Sequence, residues 1–122
     1  MKSILREKSK LFAQEIWALS ELLKLRKANY SMIDQLLRAA SSVGANIHEA
    51  RYACSTKDFI LKMSIAQKEC SEVEYWLELF YDSDFISKEH YRDLRSLASE
   101  LQRMLFASIR TARSKQSSQT LH

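Results

Sequence analysis

Apolar residues recur every three or four positions along nearly the whole chain. From Ile33 they step through Leu36, Ala40, Val43, Ile47 and Ala50. A second row runs Phe59, Met63, Ala66, Cys70, Val73, Leu77 and Phe80. A third takes in Tyr91, Leu94, Ala98, Leu101 and Leu105, flanked by Leu97, Met104 and Ile109. Its next step falls on polar Ser108, so this stripe is expected to weaken toward its end. The N-terminal row is broader: Leu5, Phe12, Ile16, Leu19 and Leu23 are joined by Ile4, Leu11, Trp17 and Leu22. Such stepping gathers side chains on one face of a helix, which turns once in 3.6 residues.

Polar residues between the rows mark where helices begin. Ser31-Met-Ile-Asp34 and Ser55-Thr-Lys-Asp58 fit the pattern in which a serine oxygen accepts from an orphan backbone N–H. Ser87, followed by Glu89, offers a third cap. The predicted helices are 3–28, 32–53, 56–82 and 88–113, joined by short connections. Four amphipathic helices with short loops predict an all-α, antiparallel up-and-down four-helix bundle spanning 1–113. The polar stretch 114–122 is expected to be a disordered C-terminal tail.

Composition sharpens this picture. One glycine and no proline leave little material for hairpin turns, while helix-forming residues abound. At 122 residues the chain makes one domain able to bury a core. Its apolar windows are short and charged, so neither a membrane span nor a signal peptide is expected. Cys54 and Cys70 should lie about 20 Å apart along the helix direction, too far for a disulfide. Free thiols suit a reducing compartment, and a cytoplasmic location is expected.

The single glycine, Gly44, falls inside the second helix, in the stretch "RAASSVGANIHEA". An interior glycine costs about 1 kcal/mol relative to alanine, so a compensating reason is expected. Close approach of a neighbouring helix is one, and a subunit boundary is another. A loop would break the phase of the apolar row, and a lone glycine lacks the spacing of a phosphate-binding loop. Asn46 and Glu49, three apart, share a face beside the apolar stripe. They are either ordinary surface or hydrogen-bonding groups at a helix or subunit boundary.

No catalytic or metal constellation emerges. "HEARY" starts like a zinc-protease motif, but Tyr52 stands where the second histidine belongs. Glu69 and Glu72 lack the Glu-x-x-His partners of a di-iron bundle. No base accompanies Ser41, Ser42 or Cys54. The expectation is a non-enzymatic protein with no cofactor, metal or small-molecule substrate.

The net charge of +4 is modest, but its distribution is uneven. In an up-and-down bundle one end collects Lys2, Arg6, Lys8, Lys10, Arg51, Lys57, Lys62, Arg110, Arg113 and Lys115 against Glu7, Glu49 and Asp58. That end should attract phosphates or an acidic protein, with Arg6, Lys10, Lys57, Arg110 and Arg113 as candidate nucleic-acid contacts. Aromatic residues bear on assembly. Tyr75 and Trp76 are adjacent and cannot point the same way, so one of them must lean outward. With Gly44, Asn46 and Glu49 they are the candidate positions for an oligomer interface.

The stretch Gln35 to Phe80 resembles the 23S rRNA-intervening-sequence protein family, also called four-helix bundle proteins. Gln35, Leu36, Arg38, Ala39, Ser42, Asn46, Ile47 and Glu49 match its central motif. Ser55, Asp58, Phe59, Ile65, Ala66 and Glu72 match the helix that follows. Val43 replaces the usual isoleucine, and Ala50 stands where many members have glycine. The resemblance implies a left-handed bundle assembling into a ring, a homopentamer, with a non-enzymatic role. Some relatives are basic pentamers that engage a reverse transcriptase and nucleic acid. The expected function is therefore a nucleic-acid-associated adaptor with RNA, DNA or a nucleic-acid-binding protein as partner. The alternative is a protein-interaction or assembly module that does not touch nucleic acid.

Overall fold

The computed structural model describes residues 3–120, and Lys2 of the basic group lies outside them. Four helices follow in order: α1 (Ile4–Leu25), α2 (Tyr30–Ala50), α3 (Thr56–Asp82) and α4 (Lys88–Thr120). Among the described residues each helix backbone approaches its two neighbours around the bundle and neither diagonal pair comes as close, which places α1–α2 and α3–α4 on opposite sides. The α1–α4 seam is the thinnest of the four.

The caps explain the boundaries. Ser3, Ser55 and Ser87 accept from the backbone N–H of Arg6, Asp58 and His90 at 3.3, 3.0 and 3.2 Å. For α2 the expected cap at Ser31 is replaced by Asn29, whose Oδ1 accepts from Met32 N at 3.1 Å. This starts α2 two residues early, and α2 ends at Ala50 rather than 53. Helix α1 stops at Leu25 instead of 28 because Lys27 turns left-handed, with φ 60°. Asp84 does the same after α3, with φ 66°. At each place two backbone bonds close the end: Ala28 N to Leu23 O with Lys27 N to Lys24 O, and Phe85 N to Phe80 O with Asp84 N to Tyr81 O. This is the double bond pattern that usually recruits glycine. Here a chain with one glycine builds it from lysine and aspartate. Arg26 Nη1 then donates to Phe85 O at 2.7 Å, tying the two loops together at one end.

The core follows the apolar rows. Phe12, Ile16, Leu19, Leu36, Val43, Cys70, Leu77 and Leu101 are fully buried. The fourth stripe does not fade at Ser108 but shifts one position, through Leu105 to buried Ile109 and Ala112. Beyond Ala112, α4 continues through Thr120, and its residues 113–118 are mostly exposed. The expected tail from 114 is thus helical as far as 120, and 121–122 lie outside the described residues. Two polar residues join the core. Ser9 and Ser20 satisfy their hydroxyls on Arg6 O and Ile16 O, both at 2.9 Å, so burial leaves no orphan donor. Both cysteines are free. No helix among the described residues is long and apolar enough to cross a membrane.

Candidate functional site

The ten basic residues assigned to one end do not form one patch. Arg6 and Lys10 line a groove between α1 and α2, together with Ser9, Trp17, Gly44 and His48. Lys57, Arg110 and Arg113 are exposed on α3 and α4, on the opposite side. Two other members are neutralised. Lys62 pairs with Glu49 at 3.3 Å, bridging α3 to α2, and Lys8 pairs with Glu100 at 2.6 Å, bridging α1 to α4. Pairs this exposed add about 0–1 kcal/mol each, but they remove the lysines from the free positive charge.

The register between α3 and α4 shows what Lys57, Arg110 and Arg113 join. Gln102 Nε2 lies 3.2 Å from Gln67 O, 3.1 Å from Ser71 Oγ and 3.2 Å from Glu74 Oε1. This amide staples the middle of α4 to α3. Cys70 Sγ, one turn along, donates to Ala98 O at 3.7 Å. Counting outward from these contacts in antiparallel sense brings Lys57 level with Arg113, Ser64 with Phe106 and Lys68 with Arg103. A groove of about 650 Å³ confirms the middle of that alignment, with Ser64, Gln67 and Lys68 facing Gln102, Arg103 and Phe106.

Three–four stepping extends the groove into two exposed stripes. On α4 it runs Arg103, Phe106, Arg110 and Arg113, and on α3 Lys57, Leu61, half-buried Ser64, Lys68, Ser71 and Tyr75. Lys57, Lys68, Arg103, Arg110 and Arg113 pair with no carboxylate among the described residues. Glu74 and Glu78 hold Arg95 at 3.4 and 4.0 Å, and Glu69, next to Lys68 in sequence, feels its charge without forming an ion pair with it. Lys68, Arg103 and Phe106 were not among the sequence-derived candidates. For Arg103 and Phe106 the signal was the basic-aromatic spacing of the exposed α4 positions, hidden inside an apolar run, and for Lys68 it was the helical spacing from Lys57 and Leu61 on α3.

The remaining candidates divide. Tyr75 is 58% exposed while Trp76 is half-buried, donating Nε1–H to Glu72 at 3.3 Å, so Tyr75 is the residue that leans outward. Their rings meet edge to face at 5.2 Å. Asn46 donates to Ser42 O and Oγ at 2.8 and 3.1 Å, one turn back on its own helix. A Cβ on Gly44 would stand 3.9 Å from Ser9 O and Oγ, an ordinary contact. Intrachain packing therefore does not demand glycine there.

Among ionisable groups, burial, with a smaller push from Glu74, raises the Cys70 thiol to about 12. Burial, then the neighbouring Glu72 charge, raises the Glu69 carboxyl above its usual value. Cys70 meets only the Ala98 carbonyl, and the Glu69–Glu72 carboxylate pair has no third ligand beside it among the described residues. Among the described residues no group of three His, Cys, Asp or Glu converges on a metal position.

The fold and these surfaces define an all-helical up-and-down bundle whose chemistry lies on its outer grooves. More particularly, the chain belongs to the 23S rRNA-intervening sequence protein family, whose model matches residues 1–107. Arg110 and Arg113 lie beyond the matched residues. It is similar to a crystal structure of a protein with unknown function from the S23 ribosomal protein family of Bacteroides thetaiotaomicron VPI-5482. The two share 39% identity with a TM-score of 0.84, over 87% of this chain and 98% of that one. No curated protein matches the chain.

Proposed function

We propose that the protein is a non-enzymatic, homo-oligomeric adaptor that associates with nucleic acid through its unpaired basic residues. The observation carrying this reading is that most of the cations at the α4 C-terminal half and the start of α3 are left without carboxylates. Unpaired arginines cost nothing in water and become productive only when an anion arrives. Phosphates release condensed counterions when they do, so binding of this kind weakens steeply with salt.

Assembly of copies belongs to the same reading. The α1–α2 groove, about 700 Å³, has a floor of small residues beside a Trp17 that is 62% exposed. An interior glycine without an intrachain reason favours a second chain approaching there, and a ring, pentameric as the family resemblance implies, would repeat the basic surface around an axis.

The test is titration of labelled RNA and DNA at rising salt, alongside solution mass. Affinity should fall linearly on a log–log plot, and charge reversal at Lys57, Arg110 and Arg113 should flatten the slope. Absence of binding to any nucleic acid at low salt would defeat the adaptor reading and leave the protein-interaction module. A monomeric mass would defeat assembly.

A further inference from the structure

The α3–α4 face combines features that the charge map alone does not contain. The exposed stripe positions themselves carry no carboxylate, although Glu74 reaches Gln102 at the groove floor and Glu72 flanks Lys68 one turn on. Eighteen residues of helix make the face about 27 Å long. Two aromatic rings stand out from it: Phe106, 60% exposed on the groove, and Tyr75, 58% exposed further along α3. Phe106 lies level with Ser64, so Tyr75 is eleven residues along the same axis, about 16 Å away. Between the two rings sit the unpaired Lys68 and Arg103, beside the amides of Gln67 and Gln102. The Gln102 bonds to α3 hold the groove floor in place, so the rings and cations are presented by rigid helices rather than by loops.

Phe106 belongs neither to the core nor to the partly buried residues packed on it. Alternating aromatic platforms and unpaired cations suit a ligand that itself alternates flat apolar rings and negative charges. Single-stranded nucleic acid is that ligand: its bases are free to stack, and its phosphates track a positive groove. A duplex hides its bases inside the stack and would use only the cations.

Resting on the nucleic-acid reading above, we infer that the α3–α4 face is a single-strand binding surface, on which Phe106 and Tyr75 stack bases while Lys68, Arg103, Arg110 and Arg113 contact phosphates. Arg6 and Lys10, in the opposite groove, take no part in it.

The test uses the full chain and fluorescein-labelled 20-mers of oligo-U and oligo-dT, with a mixed-sequence duplex of equal length. Anisotropy should show the single strands binding at least tenfold tighter than the duplex. Phe106→Ala should weaken single-strand binding about five- to hundredfold, the usual range for losing one stacked base, with an unchanged salt slope. Phe106→Trp should retain it, and Tyr75→Ala should follow Phe106→Ala in kind. Lys68→Glu with Arg103→Glu should flatten the salt dependence, while Arg6→Glu with Lys10→Glu should leave it unaltered. Helical circular dichroism of each variant checks the fold, and both aromatic sites are exposed enough to tolerate alanine. Equal or tighter duplex binding with a silent Phe106→Ala would overturn the single-strand surface while sparing the broader reading. A larger loss from Arg6 and Lys10 would move the contact to the other groove and overturn it too. The RNA and DNA arms identify which strand the surface prefers.

Discussion

The two grooves on opposite sides of the bundle are built from the same helical rules and reach different results. Between α1 and α2 the floor is small, with Ser9, Gly44 and Ala45, and the rim carries one large exposed ring, Trp17. Between α3 and α4 the floor is polar and stapled by Gln102, and the rim carries free cations with Phe106. A shallow, small-residue floor invites close approach of another backbone. A stapled polar floor with free charge suits an extended anion. Net charge does not separate these cases, because Arg6 and Lys10 are as basic as Arg103 and Arg110. What separates them is the company each cation keeps.

Both grooves hang from one core, so the largest effect comes from below them. Leu36 on α2 and Leu101 on α4 are fully buried. Replacing either with alanine removes its transfer free energy and leaves a cavity, at about 2–5 kcal/mol. Each variant should lower the thermal midpoint in a single transition reported alike by helical signal and tryptophan fluorescence. Two separated transitions would mean that the grooves belong to independently folding halves.

The next effect distinguishes the two sides by pH. Only the α3–α4 side buries a thiol, whose burial holds Cys70 near 12. A raised folded value keeps the native thiol neutral while the unfolded chain ionises from about pH 8.5. Stability is therefore fully present below that pH and falls above it, by up to about 1.4 kcal/mol per pH unit until roughly pH 12. Urea titrations between pH 8 and 11 should show this decline, and Cys70→Ala should flatten it relative to the parent. Thiol reagents should label exposed Cys54 in the native protein and reach Cys70 only on unfolding. An identical alkaline slope in Cys70→Ala would assign the loss to other groups.

The bundle was legible in the sequence because burial obeys one helix's own period. Every member of the α2 row from Ile33 to Ala50 is buried, and Ser55 and Ser87 cap as their spacing implies. The boundaries were less legible where local chemistry offered equivalents. Ser31 and Asn29 both suit a cap, and Lys27 and Asp84 occupy a backbone region that composition assigns to glycine. The faces were least legible. Which exposed stripe of α4 meets which stripe of α3 depends on the register between them, and that register rests on contacts such as Gln102 with Gln67, thirty-five residues apart. Phe106 was concealed for a related reason: in "RMLFASI" apolar residues occupy adjacent positions, and period alone does not say which of them faces water.

The smallest predicted effect falls on Gly44 and bears most directly on what the α1–α2 groove is for. Within one chain an alanine Cβ there fits, 3.9 Å from Ser9. Alanine also restricts the unfolded backbone and favours helix, so Gly44→Ala should stabilise the isolated fold by about 0.5–1 kcal/mol. If a second copy approaches this floor, the same methyl group reports on it from the other side. The monomeric fold should gain stability while the assembled mass falls at low protein concentration. Thermal melts read at several concentrations, with sedimentation on the same samples, separate the two contributions. A variant that is more stable and equally assembled would show that the glycine serves neither the fold nor the interface. The groove would then be open surface, and the asymmetry between the two sides would rest on Trp17 and the cations alone.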